Sequence, residues 1–212
     1  MTSNQIYPGA FHLPGFLSPD EQRFIVDRVR QIAAGSVGFY RPRVRGGGSM
    51  RCDMLCLGRH WNAATYTYES TRSDYDDQPV PEVPRELYRL AVRAAEMVGF
   101  TVCPDVCLIN RYDSGGKMGL HQDKDEHPST LDAGVPIVSL SLGATARFVV
   151  GGFHRRDATA VLALRPGDAF VMGGPSRLRY HGVTRVMAGT EPSGFPFRGR
   201  LNLTFRQYEL DG

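Results

Sequence analysis

The sequence lacks any apolar run that approaches the roughly 20 residues needed to span a bilayer. Its first ten residues also lack the charged and apolar regions of a signal peptide. Internal repeats, low-complexity tracts and an evident dimerisation stripe are missing as well. We therefore expect a soluble, cytoplasmic monomer with no membrane partner, built as one domain over residues 1–212.

Neither the cysteines nor the net charge defines a class of function. The four cysteines form two C-x-x-x-C pairs, Cys52/Cys56 and Cys103/Cys107. A zinc site made of all four thiolates is one interpretation, but free cysteines in a cytosolic chain mostly behave as small buried hydrophobes, which we favour. The formal net charge of +3 permits a polyanionic partner without requiring one.

Local patterns predict helices first and strands afterwards. Ser18 and Glu21 have the spacing of a capping box that begins a helix, which Gly35 ends, and a second helix is predicted over 85–98. Alternating or apolar short runs separated by glycine and proline turns then predict eight strands, at 105–112, 117–122, 135–142, 145–150, 160–164, 168–172, 179–184 and 200–208. This order favours a mainly β fold with flanking helices, of the α+β class.

The sequence His121-Gln122-Asp123 carries the strongest chemical signal. In a strand, residues i and i+2 point to the same face, so an imidazole and a carboxylate would converge there. His181 offers a third ligand 60 residues later. Two histidines and one carboxylate on one face of a metal suit non-haem iron(II), although an H-x-D sequence alone is common by chance.

The predicted last strand has a polar face with two arginines. Arginine forms paired hydrogen bonds to carboxylates better than lysine does, so two arginines on one face could hold a dicarboxylic acid. Asn110 and Tyr112 form another i, i+2 polar pair that could bind the same ligand. The alternating faces of the last strand are Leu201, Leu203 and Phe205 against Arg200, Asn202, Thr204 and Arg206.

These segments together resemble the AlkB family of nucleic-acid dealkylating dioxygenases. The resemblance extends over roughly residues 102–208 and rests on the segments 110–112, 120–126, 136–143, 176–182 and 200–207. It implies a double-stranded β-helix (jelly-roll) core over 101–212, preceded by helices and a substrate-recognition lid in 1–100. Residues 1–100 match the family more loosely, mainly around Trp61 and Tyr66.

The resemblance also implies a ligand set and its cofactors. Iron(II), 2-oxoglutarate as co-substrate and O2 would be used. Arg200 would pair with the distal carboxylate of 2-oxoglutarate, and Arg206 with the carboxylate beside the keto group. By position, the iron ligands would be His121, Asp123 and His181, and the 2-oxoglutarate residues would be Asn110, Tyr112, Arg200, Asn202 and Arg206.

The family acts on 1-methyladenine and 3-methylcytosine, which are cationic bases. Asp125 matches the family acid that contacts the damaged base, and Arg155 matches a nucleic-acid-contacting arginine. Trp61, with Tyr66 and Tyr68 nearby, is the expected stacking platform. The resemblance therefore implies oxidative demethylation of alkylated single-stranded DNA, with double-stranded DNA or RNA as further partners.

Three alternatives remain open at this stage. The oxygenase could act on modified RNA or on a protein side chain, or the chain could be a nucleic-acid-binding jelly roll without catalysis. Outside the resemblance, Asp125-Glu126 also fits a solvated acidic turn. Met172 and Leu201 depart from the aromatic residues that relatives carry there, which leaves substrate preference open.

Overall fold

The computed structural model describes residues 3–210, so positions 1, 2, 211 and 212 of the predicted domain lie outside the described residues. Three α-helices, one 3-10 helix (Gly174–Ser176) and thirteen strands form within this range. The helices are α1 (Pro19–Ala33), α2 (Arg85–Glu96) and α3 (Pro128–Asp132). The strands are β1 (Asn4–Tyr7), β2 (Ala10–Leu13), β3 (Asp53–Leu57), β4 (His60–Asn62), β5 (Thr67–Glu69), β6 (Val106–Tyr112), β7 (Met118–His121), β8 (Ile137–Gly143), β9 (Ala146–Val150), β10 (Ala160–Leu164), β11 (Ala169–Met172), β12 (His181–Val186) and β13 (Arg200–Arg206).

Two sheets build the core, which confirms the predicted jelly roll. The larger sheet has the strand order β1-β2-β11-β8-β13-β6-β3, and the smaller has the order β10-β9-β12-β7. Their facing side chains share one buried apolar cluster, in which Tyr112 and Phe170 of the larger sheet accompany Phe148 and Val183 of the smaller. The predicted functional residues come from strands that line this interior.

Helices α1 and α2 cover the outer face of the larger sheet. The capping box at Ser18 and Glu21 is present as predicted, and α1 ends at Ala33. Ile25 of α1 and Leu87 of α2 pack in one core with Leu203, so the apolar face of β13 points outward to the helices. The polar face of β13 is thereby directed into the jelly roll, as its alternation predicted.

The eight predicted strands all form, but the first hundred residues differ from expectation. Strands β1, β2 and β3 belong to the larger sheet, so the boundary at residue 100 does not separate the lid from the core. Strands β4 and β5 form a separate two-stranded hairpin, hereafter the lid hairpin. The second predicted helix ends two residues early, at Glu96, and α3 adds a short helix after the H-x-D sequence.

The cysteines behave as free thiols. Three of them, Cys52, Cys56 and Cys107, are buried, whereas Cys103 is exposed. Within residues 3–210 the four do not gather into a metal-binding group, which favours the interpretation as buried hydrophobes over zinc. Over the same range, no helix is long and apolar enough to cross a membrane.

Candidate active site

Strand register places two predicted metal ligands side by side. Strands β7 and β12 are antiparallel neighbours, and His121 lies directly opposite His181. The ring centroids are 4.4 Å apart. Each Nδ1 lies close to a carbonyl oxygen of its own chain segment, Gly119 at 2.9 Å and Arg179 at 3.0 Å. With Nδ1–H donating to these carbonyls, each Nε2 lone pair is free to bind a metal.

Asp123 completes the cluster from the segment that follows β7. Its carboxylate oxygens lie 3.5 Å from the Nε2 of His121 and 3.4 Å from the Nε2 of His181. Among the described residues, these three form a group whose ligand atoms all lie within 4.8 Å of one another. Burial would raise the pKa of Asp123, but Arg206 and His181 hold that pKa well below its ordinary value. The cluster therefore presents an ionised carboxylate and two imidazoles, a donor set that fits iron(II).

A small cavity of about 60 Å³ extends from this cluster into the jelly roll. It collects four of the five residues predicted to bind 2-oxoglutarate, Asn110, Tyr112, Asn202 and Arg206. The antiparallel pairing of Asn110 with Asn202, and of Tyr112 with Arg200, holds β6 and β13 in the register that brings these side chains together. The remainder of the wall is mainly apolar and includes Met172.

Arg200 lies just outside this cavity wall, as the strand partner of Tyr112. Its side chain is fully buried, and only Nη2 has a hydrogen-bond partner, the Ser141 hydroxyl at 2.9 Å. Nε and Nη1 are buried without one. Burial lowers the pKa of Arg200 to about 10. A buried guanidinium with two nitrogens left without partners can bind a carboxylate, so the residues present fit a dicarboxylic co-substrate.

A large cavity of about 740 Å³ opens the cluster to solvent. All five predicted substrate residues line it: Trp61, Tyr66, Tyr68, Asp125 and Arg155. The two cavities share a wall at Asn110, Met118, His121, Asp123 and Arg206. The predicted metal ligands therefore stand where the small cavity meets an open one of a size typical for ligand binding.

The lid hairpin supplies the aromatic wall of the large cavity. The indole Nε1 of Trp61 donates to the Asp125 carboxylate at 2.8 Å, which ties the hairpin to the segment after the metal ligand. Tyr66, half exposed, has a positive φ of 62° and lies 6.0 Å from Trp61 between ring centroids. Burial raises the pKa of Asp125, while the bond from Trp61 opposes the shift. Asp125 is thus a half-buried acid facing the cavity rather than a solvated turn residue.

Two buried residues of the site were missed by sequence reasoning. Glu126 accepts a hydrogen bond from Arg177 at 2.8 Å, and both side chains are almost fully buried. Arg177 also donates to the main-chain oxygen of Asp123. The polar residues next to Glu126 and Arg177 in the sequence gave no sign that either side chain is buried. The pairing could not be predicted either, because 51 positions separate the two residues.

Cations surround the mouth of the large cavity. Both lysines of the chain, Lys117 and Lys124, line it together with Arg51 and Arg155. None of the four forms an ion pair within the part of the chain that the structure describes. The mouth is therefore positive, whereas Asp123, at the floor, and Asp125, on the wall, are acidic.

Comparisons with known proteins agree with this geometry. The family model described as "2OG-Fe(II) oxygenase superfamily" matches residues 9–206. The chain is 43% identical over 203 residues to the alpha-ketoglutarate-dependent dioxygenase AlkB of Escherichia coli, covering 94% of this chain and 90% of that one. The solved structure of OsALKBH1 superposes with a TM-score of 0.91 at 36% identity, covering 97% of this chain and 100% of that one.

The plant relatives are longer proteins. The DNA N(6)-methyladenine demethylase ALKBH1C of Arabidopsis thaliana is 35% identical over 224 residues, which cover 96% of this chain but 49% of that protein. The chain thus spans about half the length of the curated plant relatives that it matches. From the match over residues 9–206 and the similarity to bacterial AlkB over nearly its whole length, the chain belongs to the AlkB family of the 2OG-Fe(II) oxygenase superfamily.

Proposed function

We propose that this chain is an iron(II)- and 2-oxoglutarate-dependent demethylase of alkylated bases in nucleic acid. The preferred substrates are 1-methyladenine and 3-methylcytosine in single-stranded DNA, with RNA as a further substrate class. One observation carries the proposal: the His121, Asp123 and His181 cluster stands at the junction of the two cavities. A co-substrate held in the small cavity and a base in the large one would both reach the metal.

The residues of this chain would bind the metal, the co-substrate and the base. Iron with 2-oxoglutarate and O2 supplies the oxidising chemistry that hydroxylates an N-methyl group, which then leaves as formaldehyde. His121, Asp123 and His181 would hold the metal, and Arg200 and Arg206 would fix the two carboxylates of the co-substrate. The large cavity opens the cluster to solvent, so a base bound there would itself displace water from the reacting centre.

The acids at the cavity favour a cationic base. Asp123 and Asp125 line the cavity, and of the lysines and arginines that line it only Arg206 is buried. A carboxylate attracts 1-methyladenine and 3-methylcytosine, which are positively charged, more than it attracts neutral N6-methyladenine. The names of the plant relatives make N6-methyladenine a second candidate substrate.

The positive mouth favours a polyanionic chain over a free nucleoside. Lys117, Lys124, Arg51 and Arg155 can pair with phosphates on either side of a base that enters the cavity. A base from a single strand enters at lower cost than one from a duplex, because no partner strand has to be unpaired. This arrangement supports single-stranded DNA as the preferred substrate.

Formaldehyde release from defined oligonucleotides tests the proposal. The panel carries 1-methyladenine, 3-methylcytosine, ethenoadenine or N6-methyladenine in single- and double-stranded DNA and RNA. We expect the highest kcat/KM for the two cationic bases in single-stranded DNA. Product from N6-methyladenine alone would show that this neutral base, and not a cationic one, is the substrate. Product from none of the oligonucleotides would favour a protein side chain as substrate.

Trp61→Ala should weaken substrate binding without affecting the co-substrate. Stacking on an aromatic ring contributes about 1–3 kcal/mol per base, so KM for the oligonucleotide should rise about 5- to 150-fold. KM for 2-oxoglutarate should stay unchanged, because Trp61 does not line the small cavity. Phe24→Ala is the matched control, since Phe24 is a half-exposed aromatic on α1, away from both cavities. An unchanged KM for the oligonucleotide would remove Trp61 from the platform.

Lysine acylation offers an independent measurement of where nucleic acid binds. Because Lys117 and Lys124 are the chain's only lysines, acylated peptides report on the cavity mouth alone. We expect a single-stranded oligonucleotide to slow acylation of both residues at low ionic strength. The protection should vanish in about 1 M salt, where the screening length falls to about 3 Å. Acylation that proceeds at the same rate with bound oligonucleotide would place the nucleic acid elsewhere.

A further inference from the structure

A buried polar network lies behind the metal-ligand cluster and reaches the lid hairpin. It consists of Tyr68, Asp123, Glu126, Arg177 and Arg206, all of which are less than one tenth exposed. Asp123 and Arg206 belong to the predicted metal and co-substrate sites, whereas Tyr68 belongs to β5 of the lid hairpin. The network is thus a continuous polar connection between two sites that bind different molecules.

Glu126 contacts three of the four other members of the network. Its Oε2 accepts from Arg177 at 2.8 Å, and its Oε1 accepts from the Tyr68 hydroxyl at 3.3 Å. Oε1 also lies 3.3 Å from Nε of Arg206, at ion-pair distance but without hydrogen-bond alignment. Glu126 therefore contacts both buried guanidinium groups, whose charges it balances together with Asp123, and it also accepts from the tyrosine hydroxyl.

Arg206 is shared between the two sites. Its Nη2 lies 2.8 Å from the Asp123 carboxylate, and its Nη1 donates to the Tyr68 hydroxyl at 2.5 Å. A guanidinium has five N–H donors, so one hydrogen on each Nη stays available to a ligand. A carboxylate that enters the small cavity therefore meets an Arg206 guanidinium whose position is already fixed by Tyr68 and Glu126.

Tyr68 carries this arrangement into the lid. It is the cross-strand partner of Trp61 in the lid hairpin, and its ring packs edge-on against Tyr208 with centroids 5.6 Å apart. Tyr68 thus joins the hydroxyl contact at Arg206 to the strand that pairs with the strand of Trp61. Packed, hydrogen-bonded elements of this kind transmit a change between sites.

We propose that Glu126 is a positioning residue that fixes Arg206 and Tyr68 relative to each other, so that binding of 2-oxoglutarate at Arg206 also sets the position of the lid hairpin. Arg177 supports this role by holding both Glu126 and the main chain of Asp123. The inference rests on the proposed function for the identity of the co-substrate. Beyond that function, Glu126 and Arg177 gain a positioning role, and the two cavities are linked through them.

The chain's single tryptophan provides the test without turnover. The protein is loaded with Mn(II) in the absence of O2 and titrated with 2-oxoglutarate, while Trp61 fluorescence and bound co-substrate are followed. In the wild type we expect co-substrate binding to change the fluorescence. Glu126→Gln keeps the volume but loses the charge, and should weaken 2-oxoglutarate binding about 10-fold or more and abolish the Trp61 response.

Tyr68→Phe is the second variant, which guards against a folding defect of Glu126→Gln. It removes only the hydroxyl, so 2-oxoglutarate affinity should stay within about threefold of the wild type while the Trp61 response is lost. Glu96→Gln, an exposed acid at the end of α2, is the matched control and should behave as the wild type.

The outcomes separate this inference from the proposed function. Unchanged 2-oxoglutarate affinity in Glu126→Gln, or an unchanged Trp61 response in Tyr68→Phe, would overturn the positioning role. A residue with a merely structural role would lower the melting temperature and leave both readouts intact. A wild type that binds 2-oxoglutarate with a Trp61 response, yet releases no formaldehyde from any oligonucleotide, would overturn the proposed function alone.

Discussion

Substitution of His121 by alanine should yield a folded protein that releases no detectable succinate from 2-oxoglutarate. His121 and His181 are cross-strand partners, and Asp123 is the third donor, so the variant keeps only two ligands. Loss of groups that merely orient a ligand costs about 10- to 100-fold. Loss of a ligand itself should therefore reduce turnover more than about 1000-fold.

Succinate release under saturating iron measures this effect, with circular dichroism as the check on folding. His154→Ala is the matched control, because the side chain of His154 is 87% exposed and its variant should keep full turnover. Full activity in His121→Ala would remove this residue from the metal site. Restored activity at higher iron concentration would instead show that two ligands retain weak binding.

Arg200→Met should give opposite effects on stability and on co-substrate binding. Methionine matches the length of the arginine stem and removes a buried cation that has Nε and Nη1 without partners. Since an unpaired buried charge is destabilising, the apo protein should gain about 1–3 kcal/mol in free energy of unfolding. Affinity for 2-oxoglutarate should fall about 100-fold, because the guanidinium of Arg200 is no longer there to pair with the distal carboxylate.

Thermal unfolding of the apo protein and titration of the Mn(II)-loaded protein with 2-oxoglutarate give the two values. Arg198→Met, at an exposed position two residues earlier, should leave both unchanged. A melting temperature that falls in Arg200→Met would mean that the guanidinium contributes to folding. Unchanged affinity for 2-oxoglutarate would show that the distal carboxylate lies elsewhere.

The catalytic half of the fold could be predicted because its information is local. The period of two in β13 assigned Leu203 and Phe205 to the core and Asn202 to the interior of the jelly roll, as observed. The same period predicted that His121 and Asp123 converge, and they do, although β7 ends at His121 and Asp123 lies in the segment after it. His181 was proposed as the third ligand from its residue type, but the family resemblance was needed to support that choice, since sequence spacing does not reveal that β7 and β12 are neighbours.

The first hundred residues were predicted less completely for a physical reason. Strand β3 is a continuous apolar run, and the lid hairpin mixes aromatic with polar residues, so neither shows a clear period of two. Glu126 was open to interpretation as part of an acidic turn because its partners Tyr68, Arg177 and Arg206 lie far away in the chain. Such long-range pairing decides burial and cannot be seen in the neighbouring residues.

The pairing of His121 with His181 also bears on folding fidelity. Strand β7 has four residues and forms one edge of the smaller sheet, so few ladder contacts fix its alignment. A slip by one residue would turn His121 to the opposite face and dismantle the metal site. Because a metal binds only the correctly aligned chain, it should select that alignment during refolding. A measurement of metal affinity therefore also reports whether β7 has paired with β12 in the correct register.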